Sequence, residues 1–130
     1  MGGHDLFPTY HNKSNCSETV RLEYDSKKTS YFQILDAYWK YCGDPTLPMP
    51  DTGYQLRIFY VDDHQRSAAE ASVAEKEKEL GKKVYVAVLP ASEYVFWKAE
   101  EYHQQYFQKQ GSRCGAPPPA RRLSRQIHIA

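Results

Sequence analysis

The chain has 130 residues, enough for one domain with a single hydrophobic core but not for two. Seventeen basic and sixteen acidic residues nearly cancel, so no strong electric field selects nucleic acid or an anionic membrane as a partner. No segment approaches the length of a membrane span, and the first ten residues lack the apolar core of a signal peptide. These features predict an intracellular protein, with the cytoplasm as the default compartment.

Three cysteines, Cys16, Cys42 and Cys114, are spaced too widely for a zinc site. Their odd number also argues against a closed set of disulfides. We therefore expect free thiols in a reducing compartment, and no bound metal.

The chain opens with a polar loop that leads into a strand. The loop carries Tyr10, and Glu18 lies where the strand begins. Val20 and Leu22 alternate with polar residues, which predicts a half-buried strand. A carboxylate at such a position can be partly desolvated and act as a general acid. The alternative is an ordinary solvated glutamate, and this stretch taken alone favours that alternative.

The middle of the chain predicts two helices and two further strands. Ser30 and Gln33 form a capping box that opens a helix ending near Cys42, and a proline-rich loop follows. The alternation in residues 55–60 predicts a second half-buried strand. Asp62 can cap a second, alanine-rich helix that ends at Gly81. Residues 84–90 contain no polar side chain, which predicts the most buried strand.

The last part of the chain predicts a helix and then a tail. Aromatic residues recur at helical spacing from Trp97 within residues 97–110. Residues 111–130 are rich in proline and arginine, so we predict a tail without regular structure after a single domain at 1–110. The alternating elements predict an α/β (α+β) two-layer sandwich, a small mixed sheet with helices packed on it. Three strands leave sheet edges that need covering.

Six short motifs carry a resemblance to a known family. In chain order they are PTY (8–10), CSE (16–18), EYD (23–25), YW (38–39), DTGYQLR (51–57) and KAEEYHQQY (98–106). Together they resemble the A-class peptide methionine sulfoxide reductases over residues 2–107. The resemblance implies a repair oxidoreductase of the oxidative stress response, which reduces the S-epimer of methionine sulfoxide in proteins or as the free amino acid. It also implies a monomer without a bound cofactor, regenerated by thioredoxin or by dithiothreitol as external reductant.

The resemblance also implies roles for individual side chains. In this chemistry a thiolate attacks the sulfoxide sulfur while the oxygen gains a proton, so the site needs a proton donor and hydrogen-bond donors. Glu18 matches the acid, Tyr10 a hydroxyl donor to the oxygen, and Asp51 the carboxylate that helps to organise the site. A second tyrosine of the family pattern is replaced by Leu56 here. Two alternatives follow: Tyr54 supplies that hydroxyl to the substrate, or the hydroxyl is missing.

The sequence departs from the family pattern at the nucleophile. The family's nucleophilic cysteine lies in a Gly-Cys-Phe-Trp motif, and the 130 residues contain none. Met1-Gly2-Gly3 resembles the turn that follows that motif, so we expect a chain that is truncated at its N-terminus and lacks the family's first strand and helix. Such a chain should be weak or inactive.

Three interpretations of the missing nucleophile stay open. The chain is a truncated reductase, or it is a pseudoenzyme that binds oxidised methionine or a protein partner without turnover. In the third, Cys16 has become the nucleophile, two residues from Glu18. Cys114 resembles the family's C-terminal recycling cysteine, whose task is to attack a sulfenic acid on the nucleophile.

Overall fold

The computed structural model describes Met1, residues 16–49, residues 55–101, Gln104 and the backbone of Gln126–Ile129. In chain order the elements are β1 (Thr19–Leu22), α1 (Tyr31–Tyr41), β2 (Leu56–Tyr60), α2 (Asp63–Leu80), β3 (Val86–Pro90), a short 3-10 turn (Ala91–Glu93) and β4 (Gln126–Ile129).

The strands form one sheet in the order β1-β4-β2-β3. Each of the three pairings between neighbouring described strands is parallel. Residues from α1, α2 and β2 share one hydrophobic core, and β3 packs against it. The predicted α/β class is therefore confirmed, although the prediction was of a mixed sheet and the described pairings are all parallel.

Helix α1 begins and ends where its sequence predicts. The Ser30 hydroxyl accepts a hydrogen bond from the Gln33 amide at 3.2 Å, and the Gln33 side chain accepts one from the Ser30 amide at 2.9 Å. This reciprocal cap satisfies two amides that would otherwise lack partners at the helix start. The apolar face of α1 carries Tyr38, which is 2% exposed, into the core.

Helix α2 is also confirmed at both ends. The Asp62 carboxylate accepts a hydrogen bond from the Gln65 amide at 2.8 Å, which caps the first turn. The helix ends at Gly81, whose φ of 62° lies in the left-handed region that glycine adopts without strain. Ala68 and Ala69 are buried against the core, so the small residues of this helix permit close packing.

Strand β2 is more deeply buried than β3, so the prediction that residues 84–90 form the most buried strand is wrong. Arg57 is 6% exposed, and Ile58 and Phe59 are fully buried. Strand β2 lies inside the sheet, where neighbours cover both of its edges, whereas β3 lies at the edge of the described sheet. The apolar composition of residues 84–90 could not reveal this order.

Strand β1 is less buried than its alternation predicts. Val20 is 42% exposed and Leu22 36% exposed. No residue of β1 belongs to the described core cluster. Alternation therefore indicated the strand correctly but not how much of it is covered.

At the end of the chain, some of the described residues differ from two predictions. Residues 97–100 are not helical, whereas Glu101 has 3-10 helical geometry and its carbonyl accepts a hydrogen bond from the Gln104 amide at 3.1 Å. Within the segment predicted to lack regular structure, Gln126–Ile129 form β4. Ile127 and Ile129 are β-branched residues that favour extended backbone, and β4 has sheet partners on both sides.

Candidate functional site

Glu18 lies directly before β1 and is half-buried. Its two predecessors are more deeply covered, since Cys16 is 5% exposed and Ser17 4% exposed. The predicted position of Glu18 at the start of a strand is confirmed. A half-buried carboxylate at this position can contact a ligand in solution while the chain behind it is held fixed.

Ser17 fixes the backbone that carries Glu18. Its amide donates to the Met1 carbonyl at 2.8 Å, and its own carbonyl accepts a bond from the Met1 ammonium group at 2.9 Å. Its hydroxyl donates to the Gln55 carbonyl at 3.3 Å, which links the start of β1 to the start of β2. These contacts hold the residue before Glu18 on two sides.

Arg57 completes this network from β2. One guanidinium nitrogen donates to the Met1 carbonyl at 3.5 Å and the other donates to the Gln55 side-chain oxygen. The cation is therefore buried with oxygen partners, as a buried guanidinium must be. We call Met1, Ser17, Gln55 and Arg57 the strand-start network.

Sequence reasoning missed the strand-start network. Gln55 and Arg57 stood within the motif DTGYQLR, but the alternation of the strand placed both on a polar, half-solvated face. The available signal was a lone arginine in an otherwise apolar strand, which usually requires partners when the strand is central. Only the pairing order of the strands indicates that β2 is central.

A groove of about 340 Å³ starts at the same end of the sheet. It is lined by Met49, Gln55, Leu56 and residues 83–87. Gln55 belongs both to the groove wall and to the strand-start network, so the groove adjoins the network.

The two described cysteines are both buried free thiols. Burial raises the pKa of Cys42 to about 11, and its thiol lies near the carbonyls of Trp39 and Gly43, at 3.6 and 3.7 Å. Because the thiolate is the nucleophile, Cys42 is unreactive at neutral pH. Cys16 lies next to Ser17 and close to Glu18 in the chain, but its 5% exposure leaves little access for a substrate.

Four predicted site residues, Tyr10, Asp51, Tyr54 and Cys114, lie outside the described residues. Their roles stay predictions, as does the catalytic role of Glu18. Among the residues that the structure describes, no group of three or more His, Cys, Asp or Glu side chains could hold a metal ion. No helix in the described part is both long and apolar enough to cross a membrane.

Comparison with known proteins shows the family. The family model of peptide methionine sulfoxide reductase matches residues 1–125. The match covers nearly the whole chain, so the chain belongs to the peptide methionine sulfoxide reductase family.

Individual relatives agree with the family model. The chain is 41% identical to peptide methionine sulfoxide reductase MsrA of Methanosarcina acetivorans over 121 residues, 85% of this chain and 63% of the relative. It is 43% identical to MsrA of Methanosarcina mazei over 85% of this chain and 56% of the relative. It is 35% identical to peptide methionine sulfoxide reductase A2 of Arabidopsis thaliana over 85% of this chain and 51% of the relative. The chain thus spans between about half and two thirds of the length of these relatives.

Proposed function

We propose that this chain carries the oxygen-binding and proton-donating part of a peptide-methionine (S)-S-oxide reductase site, with Glu18 as the acid. The observation that carries the proposal is the position of Glu18, half-buried at the start of β1 on a backbone held by Ser17. Membership of the family supports the choice of substrate, an oxidised methionine in a protein or as the free amino acid.

The reaction sets the demands on these groups. A thiolate attacks the sulfoxide sulfur, and the oxygen takes up a proton and passes to the attacking sulfur as a sulfenic acid, which releases the thioether. A second thiol then displaces water from the sulfenic acid and forms a disulfide. Overall one sulfoxide and two thiols give one thioether, one disulfide and water. Glu18 would supply the first proton, because a carboxylic acid beside the oxygen can donate it as the S–O bond breaks.

Other side chains would orient the sulfoxide. The Tyr10 hydroxyl would donate a hydrogen bond to the sulfoxide oxygen, which holds the charge that develops there. Asp51 would help to organise the site, and Tyr54 would contribute a second hydroxyl to the substrate. DTGYQLR, which contains Asp51 and Tyr54, continues directly into β2 and the strand-start network.

The thiol chemistry of this chain should be weak or absent. The 130 residues contain no Gly-Cys-Phe-Trp motif, and the pKa of Cys42 at about 11 keeps that thiol protonated. Cys16 and Cys114 are the remaining redox candidates. Turnover would draw its electrons from thioredoxin in the cell, or from dithiothreitol in an assay. We further propose that the chain acts as a monomer in the cytoplasm, whose reducing conditions suit its free thiols.

A binding experiment tests the role of Glu18. N-acetyl-methionine-(S)-sulfoxide amide is titrated into the purified chain and binding is followed by NMR. We expect saturable binding that Glu18→Ala weakens by about tenfold, because alanine removes the hydrogen bond that the acid donates to the sulfoxide oxygen. Glu23→Ala is the matched control, since Glu23 is exposed and pairs with Arg21. Equal binding by the Glu18→Ala and Glu23→Ala chains would refute the role of Glu18.

A second candidate function is a pseudoenzyme that binds oxidised methionine or a protein partner without turnover. The burial of both described cysteines favours it. Reduction of a labelled methionine-(S)-sulfoxide with dithiothreitol separates the candidates. Turnover above the reagent background that Glu18→Gln abolishes supports the reductase, and its loss in Cys16→Ser would identify the nucleophile. Binding with no turnover supports the pseudoenzyme.

A further inference from the structure

An open groove borders the residues that hold Glu18. Its described lining comes from Met49, from Gln55 and Leu56 at the start of β2, and from residues 83–87 at the start of β3. The Gln55 carbonyl accepts a hydrogen bond from the Ser17 hydroxyl at 3.3 Å, and Ser17 directly precedes Glu18. Because consecutive Cα atoms lie about 3.8 Å apart, an extended peptide with one residue at Glu18 reaches the groove with residues a few positions away.

The groove combines buried aliphatic side chains with accessible ones. Leu56 is 6% exposed and Val84 5% exposed, whereas Tyr85 is 40% exposed. Met49 is half-buried. An aliphatic side chain of a ligand that packs against these residues is removed from water, which favours its binding.

The backbone on the β3 side of the groove is held by two other parts of the chain. The Val84 amide donates a hydrogen bond to the Glu77 carboxylate of α2 at 3.1 Å. The Tyr85 amide donates to the Pro45 carbonyl at 2.8 Å. The groove is therefore formed without a ligand, and a preformed site loses less conformational entropy when a ligand binds.

Lys83 gives the groove its charge. Among the described lining residues it has the one charged side chain, and its ammonium lies 5.2 Å from the centroid of the Tyr85 ring. Lys82, the preceding residue, is also exposed. Glu77 carries the opposite charge nearby, but its carboxylate is bound to the Val84 amide. An ammonium group at an accessible position beside an apolar surface attracts the carboxylate of a ligand and thereby selects among ligands.

We propose that this groove binds the residues next to the oxidised methionine of a polypeptide substrate, and that Lys83 favours an acidic residue there. The inference rests on the proposed function, because it takes the sulfoxide to lie at Glu18. Leu56 and Val84 would cover an aliphatic side chain, and the Lys83 ammonium would attract a glutamate or aspartate beside it. Free methionine sulfoxide has no neighbouring residues, so the groove would act on polypeptide substrates alone.

Titrations of the full chain with short peptides, followed by NMR, test the groove. The first probe is Glu-Leu-Met-Leu-Glu with blocked ends and with its methionine as the (S)-sulfoxide. The second has lysine in place of each glutamate, and the third is the first probe with unoxidised methionine. Lys83→Glu reverses the charge of the groove. Lys28→Glu is the matched control, because Lys28 is exposed in the turn that follows β1 and makes the same change in net charge.

We expect the parent chain and Lys28→Glu to bind the glutamate probe about fivefold more tightly than the lysine probe, and Lys83→Glu to lose or reverse this preference. The preference should shrink as the salt concentration rises from about 0.02 to about 0.5 M, because the charges become screened. The amides of residues 83–87 should shift during titration with the glutamate probe. No preference in the parent chain, or the same preference in Lys83→Glu and Lys28→Glu, would overturn the proposal.

The third probe separates this inference from the proposed function. Sulfoxide-dependent binding without any charge preference would refute the role of the groove and leave the role of Glu18 intact. Equal binding of the oxidised and unoxidised glutamate probes would refute a sulfoxide site at Glu18. A charge preference that depends on Lys83 would in that case still support the groove as a site for acidic peptides.

Discussion

The buried hydroxyl of Tyr38 leads to the prediction that a substitution in the core raises stability, whereas most substitutions lower it. Tyr38 is 2% exposed, and among the described residues its hydroxyl oxygen has no hydrogen-bond partner. Its ring packs edge-on against Trp39, with centroids 5.3 Å apart. Burial also raises the pKa of Tyr38 well above its usual range, because the charged form would lose its hydration.

Removal of this hydroxyl should therefore stabilise the chain. A buried polar group without a partner costs about 1 to 3 kcal/mol of desolvation free energy, whereas phenylalanine keeps the ring contacts. We expect Tyr38→Phe to raise the free energy of unfolding by about 1 kcal/mol. For a domain of this size that gain corresponds to roughly 3 to 6 °C in the midpoint of thermal unfolding.

Urea unfolding followed by far-UV circular dichroism measures the change. Tyr41→Phe is the matched control, because Tyr41 belongs to the same helix but is 62% exposed, and its change should stay within about 0.5 kcal/mol. A loss of about 1 kcal/mol in Tyr38→Phe would refute the reasoning, since tyrosines with a good hydrogen bond lose stability of that size.

Two further predictions concern the cysteine at the end of α1 and the link between the strand starts. The folded-state pKa of Cys42, about 11, lies above its ordinary value of 9.0, so folding favours the protonated thiol and stability should fall as the pH rises from about 9 through 11. Urea unfolding across this range should show a smaller fall in Cys42→Ala, and parallel curves for the two chains would contradict the assignment. Ser17→Ala removes the hydrogen bond to the Gln55 carbonyl and should cost about 1 kcal/mol in urea unfolding, whereas the exposed control Ser92→Ala should cost nothing measurable. Equal stabilities of the two serine variants would show that this link contributes nothing.

Local signals in the sequence were sufficient for both helices. The Ser30–Gln33 capping box and the Asp62 cap both act between residues three apart in sequence. The start of each helix can therefore be predicted without knowledge of the tertiary structure. The left-handed stop at Gly81 is equally local. The existence of β1 and β2 followed from alternation in the same way, and Glu18 at the start of β1 followed with it.

The resemblance to a family rested on motifs scattered over the chain, and the family match confirmed it. The motifs predicted that Glu18, Tyr10, Asp51 and Tyr54 are site residues, but they gave no distances between these side chains. They could not identify Ser17 or Gln55 as supports of Glu18. The Ser17 hydroxyl donates a hydrogen bond to a backbone carbonyl 38 residues away, and no sequence pattern predicts such a contact.

The sequence by itself determined the caps, the helices, the alternation of the first two strands and the family of this protein, because each depends on near neighbours or on short motifs. Only the tertiary structure decided which strand is central, that Arg57 is buried, and that Gln126–Ile129 complete the sheet. The physical reason is that burial and strand order arise from contacts between distant segments. An apolar run such as residues 84–90 has the same composition whether its strand lies at the edge or at the centre of a sheet. A four-residue strand is stabilised only by the strands that flank it.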